Sequence, residues 1–178
     1  MKPVVIAVAA VSGGGKTTIT KRLQQKLNRA EALFFDDYRC IPPDDICDWV
    51  ERGADYNEWD LSPIIHDLQG LLSQDQLNLD YIVLDYPFAY KHHEMGRHID
   101  YTIFIDTPLD IAMARRILRD PNEIYDSMIR NDMSNYLSRA REAYLEMINT
   151  IKPDSDYVMD GSLSAEAIVD QIIEKVKG

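Results

Sequence analysis

The sequence predicts an α/β domain of three layers, a parallel sheet of about five strands flanked by helices. Three observations carry this. Apolar runs of strand length alternate along the chain with amphipathic segments of helix length, the order that builds strand–helix–strand crossovers. The first such run, Pro3 to Val11, is apolar without alternation, as a strand covered on both faces must be. Asp36, Asp85 and Asp106 each follow a predicted strand, so they collect at the carboxyl edge of the sheet, where ligands of such folds sit.

Pro3 to Val11 is the first strand, and the glycines at 13 to 15 end it. Thr17 to Arg29 follows as a helix, with Ile19, Leu23 and Leu27 four residues apart on one face. Ala32 to Phe35 is a short second strand, closed by Asp36, Asp37 and Tyr38. Pro42 to Asp60 reads as irregular, broken by Pro42, Pro43 and Gly53. Ser62 and Pro63 open a helix to about Leu72, the hydroxyl as cap and the proline at the first helical position. Tyr81 to Leu84 and Tyr101 to Ile105 are the third and fourth strands, and Thr107-Pro108 opens a helix by the same logic. Met128 to Ile151 is a long helix and Asp156 to Met159 a last strand. Ser164 caps the final helix, whose Ile168, Val169, Ile172, Ile173 and Val176 form one apolar stripe.

A chain of 178 residues suits a single domain, 1–178, with one core. Its formal net charge of −11 argues against duplex DNA or RNA as a partner, since such partners select a basic face. The apolar N-terminal stretch of about nine residues is too short for a membrane span. Cys40 and Cys47 match neither a CxxC redox pair nor a zinc-ligand pair and read as reduced thiols of a cytoplasmic protein. His92, His93 and His98, with Glu94 beside them, read as a polar loop, because adjacent histidines do not share one face.

Ala10-Val11-Ser12-Gly13-Gly14-Gly15-Lys16-Thr17 fits the Walker A pattern, with Ala10 in place of the first glycine. Glycines are needed because backbone N–H groups must close around phosphate oxygens without a Cβ in the way. Ser12, Gly13, Gly14, Gly15, Lys16, Thr17 and Thr18 are the candidate cradle for the triphosphate of ATP. Lys16 reaches the β- and γ-phosphates, and Thr17 ligates Mg²⁺. The following helix adds its positive N-terminal end.

Beyond this loop the chain resembles the uridine kinase and nicotinamide riboside kinase branch of P-loop kinases. The resemblance runs through Phe35-Asp36-Asp37-Tyr38, Glu58 to Pro63, Tyr81 to Asp85, Phe104 to Asp110, Arg115 to Asp120 and Asp156 to Gly161. It implies a P-loop NTPase fold, and it implies that Asp36, with Asp37 next in line, takes the proton of the acceptor hydroxyl. It also implies acceptor contacts from Asp37, Tyr38, Tyr56, Trp59 and Asp60, with Asp60 on a ribose diol and Trp59 or Tyr56 against a ring. Asp85 falls at the place of the acid that orients Mg²⁺. Arg115, Arg116 and Arg119 lead into a lid at approximately 119–133, where Arg115 and Arg119 neutralise transition-state charge and Arg116 holds nucleotide phosphate. Two departures stand out. Asp85-Tyr86-Pro87 occupies a place where such kinases more often carry glutamate followed by glycine. Pro121-Asn122-Glu123 replaces a glycine- and arginine-rich lid.

The expected activity is transfer of the γ-phosphate of ATP to a hydroxyl of a small acceptor, a nucleoside first and a sugar, sugar acid or other metabolite second. The competing class is a nucleotide-binding regulatory module. A GTPase of that class carries [NT]KxD, which this sequence lacks.

Overall fold

The computed structural model describes residues 2–74, 78–119 and 126–177, with backbone only at 119 and 126–128. Its centre is β1 (Val4–Ala9), a Val/Ile/Ala run buried over its last five residues. It is followed by α1 (Lys16–Lys26), β2 (Ala30–Phe34), α2 (Ile46–Glu51), α3 (Ser62–Ser73), β3 (Tyr81–Asp85), the single turn α4 (His93–Gly96) and β4 (Tyr101–Asp106). Then come α5 (Leu109–Arg119), α6 (Asp126–Asn135), α7 (Arg141–Glu146), β5 (Tyr157–Asp160) and α8 (Ala165–Lys177).

The five strands are parallel in the order β2-β3-β1-β4-β5. The chain leaves β1 toward β2 and leaves β4 toward β5. Its direction therefore reverses between β1 and β4, the crevice where such sheets bind ligands. Register aligns the carboxyl ends, with Asp85 opposite both Val8 and Phe34, and Asp106 opposite Asp160.

Alternation along β1 divides the core into two layers. Val5, Ala7 and Ala9 join Ile64, Ile65 and Leu68 of α3, together with Ile82, Leu84 and Phe104. Ile6 and Val8 face the other way, against Ile19 and Leu23 of α1 and Ile168, Val169 and Ile172 of α8. Each Val, Ile, Leu or Phe among them, taken fully from water, contributes roughly 1.5–3 kcal/mol, which helps fix the sheet edge that aims side chains.

Four expectations need correction. The segment from Pro42 to Asp60 contains α2, because the Asp45 carboxylate accepts the Cys47 and Asp48 amides at 2.8 and 3.1 Å. Ser62 is not the cap of α3: it is the first helical residue, and Asp60 Oδ1 accepts its amide at 2.9 Å as well as its hydroxyl. Thr107 donates its hydroxyl across the sheet edge to the Gly14 carbonyl at 2.8 Å in place of capping α5. The long helix is one helical path interrupted by two π turns, Tyr136–Ala140 and Met147–Ile151. Residues 120–125 of the expected lid lie outside the described residues.

Gly161 shows how tightly the strand ends pack. A Cβ there would stand 2.0 Å from Thr107 Oγ1 and 2.7 Å from the Thr107 backbone. Gly161→Ala is expected to displace Thr107 and cost about 2 kcal/mol by overpacking. Thermal unfolding should register this as a melting temperature lower by roughly 4–8 °C. An unchanged value would show that the contact opens freely.

Candidate active site

The loop after β1 is built on glycine for geometric reasons. Gly13 and Gly15 take φ of 78° and 102°, which side chains resist. Gly14 has a different constraint. A Cβ on it would meet the Ala10 methyl at 2.7 Å and the Val11 carbonyl at 2.8 Å. The Ala10 methyl thus fills space that a first glycine would leave open, and Gly14 accommodates it. The Gly14 amide donates to the Val11 carbonyl at 2.8 Å, and the Thr107 hydroxyl holds the Gly14 carbonyl from below.

This loop walls a cavity of about 570 Å³, lined by Ala10 to Gly13, Gly15 to Thr18, Phe35, Asp36, Pro87, Arg115 and Met147. Behind the lining residues Lys16 and Thr17 stands Asp85, 2% exposed. Thr17 Oγ1 donates to Asp85 Oδ2 at 2.6 Å, and Lys16 Nζ lies 3.2 Å from Oδ1. Oδ1 is buried and, despite that ion pair, has no hydrogen-bond donor aligned on it among the described residues. A buried carboxylate oxygen with open coordination beside a threonine hydroxyl suits Mg²⁺, which takes one or two protein ligands and fills its shell from phosphate and water. No group of three His, Cys, Asp or Glu side chains among the described residues forms a metal cage of its own.

Asp36 is exposed in a single 3₁₀ turn, Phe35–Asp37, directly after β2, and it faces the cavity across from the loop. Asp37 is exposed and does not line the cavity. Tyr38 is half-buried and donates to Asp67 Oδ2 at 3.1 Å; burial and that carboxylate push its phenol up to about 12. Arg115 is exposed on α5, lines the cavity and donates to the Gly161 carbonyl at 3.5 Å. Arg119 ends α5, and its side chain lies outside the described residues.

Other expected site residues are committed elsewhere. Tyr56 offers no ring face: it is buried against Trp49 and Phe88, and its hydroxyl donates to Glu146 at 3.1 Å. Asp60 is taken up by Ser62, whose hydrogen bonds hold its carboxyl below the usual range. Arg116 donates to Asp132 at 2.7 Å and to the Tyr144 hydroxyl at 3.2 Å, which ties α5 to α6 and α7. Asp106 pairs with Lys152 at 2.5 Å and does not line the cavity. Trp59 is half-buried in a ring cluster with Phe35, Trp49 and Phe88. Phe35, Pro87 and Met147 line the cavity although sequence reasoning assigned them no role; the signal for the first two was adjacency to Asp36 and Asp85 in chain order.

His92 acts on this wall from behind. It is buried, its Nδ1 accepts the Met95 amide at 3.3 Å, and its Nε2–H donates to the Trp59 carbonyl at 3.2 Å. That pair of roles requires a neutral ring.

Three comparisons bear on the class of protein. No family profile matches the chain. In sequence it is similar to the uridine kinase of Clostridium botulinum strain Langeland, at 22% identity across 99% of this chain and 97% of that one. In structure it is similar to a sugar kinase from Janibacter sp. HTCC2649, with a TM-score of 0.61, 16% identity and coverage of 98% and 95%. It is also similar to shikimate kinase from Bacteroides thetaiotaomicron, with a TM-score of 0.61, 17% identity and coverage of 98% and 99%. The fold is therefore that of P-loop kinases. In sequence, the likeness to uridine kinases extends over almost the full chain. Among the described residues no helix is long and apolar enough to cross a membrane.

Burial outweighs the nearby carboxylates and lowers the His92 pKa from its ordinary 6.5. A histidine held neutral by burial contributes stability above that value, and the contribution is lost as the pH falls below it. Between pH 7.5 and 5.5 the melting temperature is expected to fall by roughly 2–4 °C more in the parent protein than in His92→Gln. Equal acid sensitivity would assign the titration to another group.

Proposed function

We propose that the chain transfers the γ-phosphate of ATP to a hydroxyl of a small neutral acceptor, a nucleoside or related riboside. One observation carries this reading. A single cavity is lined by Asp36 and by the glycine loop with Lys16 and Thr17, and those two residues contact the buried Asp85. An in-line displacement between a triphosphate and a hydroxyl requires these parts around one space.

The chain's residues divide the work. Loop amides and the N-terminus of α1 take up phosphate oxygens, and Lys16 neutralises charge as the bond to the β-phosphate oxygen breaks. Thr17 and Asp85 would hold Mg²⁺, which would supply further positive charge when bound. Asp36 accepts the proton of the acceptor hydroxyl as its oxygen bonds to phosphorus. Arg115 stands where its fork meets phosphate oxygens. An adjoining cavity of about 190 Å³, lined by Gly14, Gly15, Thr18, Ile105, Arg115, Gly161 and Leu163, suits the base of the nucleotide. Arg115 borders both spaces.

The acceptor end favours a neutral molecule. The cations lining the large cavity are Lys16 and Arg115, both beside the glycine loop. Among the described residues the lining around Asp36 is Phe35, Pro87 and Met147, none of which pairs with an acid anion. Arg52 and Arg139 line neither this cavity nor its neighbour and hold other partners: Arg52 forks onto Glu58 at 2.9 and 2.8 Å, and Arg139 meets Asp45 and Asp48.

A coupled ADP-release assay over uridine, nicotinamide riboside, ribose and gluconate tests the reading. Turnover is expected with at least one riboside and absent with gluconate. Lys16→Ala should lower kcat/KM by on the order of 10³, and Asp36→Asn should lower kcat by on the order of 10² or more. Release no faster than the water background with every acceptor would remove the kinase assignment. Full transfer by Asp36→Asn would remove Asp36 from its role.

A further inference from the structure

Phe35 belongs to a cluster of six aromatic rings, and its members differ in what their polar atoms do. Trp49 Nε1 donates to the Asp55 carbonyl at 2.9 Å, and the Tyr56 hydroxyl donates to Glu146 at 3.1 Å. These two are anchored. Tyr86 Oη and Trp59 Nε1 are buried with no hydrogen-bond partner among the described residues. Tyr86 is wholly buried and directly follows Asp85.

The two unpartnered groups flank the same pair of rings. Phe35 lies 6.2 Å from Tyr86 and 5.9 Å from Trp59, ring centre to ring centre. Phe88 lies 5.5 Å from Tyr86 and 4.8 Å from Trp59. Phe35 in turn lines the cavity beside Asp36. The rings that carry both donors therefore stand one ring behind the place proposed for the acceptor hydroxyl. A buried donor without a partner lowers the stability of the free protein, and folded proteins rarely keep one without a use.

We propose that Tyr86 Oη and Trp59 Nε1 determine acceptor specificity, donating hydrogen bonds to a planar ring that carries carbonyl or ring-nitrogen acceptors. This rests on the reading of the cavity as the acceptor site. The ring packs against Phe35 and Phe88 while the hydroxyl of the same molecule sits at Asp36. Trp59 is the part that yields. It is only half-buried, and it belongs to the arm that ends in one isolated bridge, Ile41 paired with Asp60. A free sugar has no such ring and leaves both donors unused. A site built around buried donors discriminates strongly for the ligand that satisfies them.

The test uses Tyr86→Phe and Trp59→Phe in the full chain, with ATP as donor and uridine, nicotinamide riboside and ribose as acceptors. Free Tyr86→Phe is expected to melt at or above the parent temperature, since it loses a hydroxyl that has no partner. In both variants KM for the ring-bearing acceptor should rise about tenfold. The loss should fall on KM more than on kcat, and the Kd for ATP should hold. Any turnover of ribose should be insensitive to either change. Parent-like KM for the ring-bearing acceptor in both variants would overturn the proposal, as would a Tyr86→Phe protein that melts several degrees lower. If the parent protein phosphorylates neither ring-bearing compound, the acceptor reading itself fails and this inference falls with it.

Discussion

The contact among Asp85, Lys16 and Thr17 is the constraint on which the rest of the site depends. Asp85 is a carboxylate almost without solvent at the end of a central strand, and such a group persists only with charge and hydrogen bonds around it. Lys16 and Thr17 supply them from the first turn of α1. That first turn is held in place by left-handed glycines, by the close fit of Gly14 over Ala10, and by the Thr107 hydroxyl. Two central strands, one loop and one helix start thus converge on a single carboxylate. The groups that satisfy Asp85 in the free protein, Lys16 and Thr17, are those to which the proposed reaction assigns phosphate and metal.

Across the cavity the construction is different. Asp36 stands on a short 3₁₀ turn and is free of structural partners in the hydrogen bonds of the described residues. The wall behind it is aromatic and held from outside, with His92 gripping the Trp59 carbonyl and Asp60 starting α3. The glycine-loop side is thus fixed by charge and hydrogen bonds, and the opposite side by ring packing and the His92 contact.

Much of the donor side was legible in the sequence. The strand cores of β1, β3 and β4 stand out as unbroken apolar runs, and parallel packing on both faces leaves no other arrangement for them. The glycine loop is a local motif whose geometry follows from residue type. The acceptor side was less readable because its residues are assigned by tertiary contact. Asp60 has the composition of a ligand-binding acid, yet its carboxylate opens a helix two residues on. Tyr56 and Trp59 are three residues apart and similar in kind; one is locked to Glu146 from a helix 90 positions away, and the other keeps an unpartnered donor. Arg115 and Arg116 are neighbours that helical geometry turns in different directions, one to the cavity and one to Asp132. The helix α2 escaped notice because prolines before it and Gly53 after it mask six residues of modest pattern, of which only Trp49 is buried.

The central claim is that the phosphoryl group passes from ATP to a hydroxyl held at Asp36. Mass spectrometry of a reaction run with ATP bearing ¹⁸O in its γ-phosphate tests this most directly, with uridine and nicotinamide riboside offered together. The expected result is labelled monophosphate of at least one of them, formed in step with ADP. Label found only in inorganic phosphate would contradict the account.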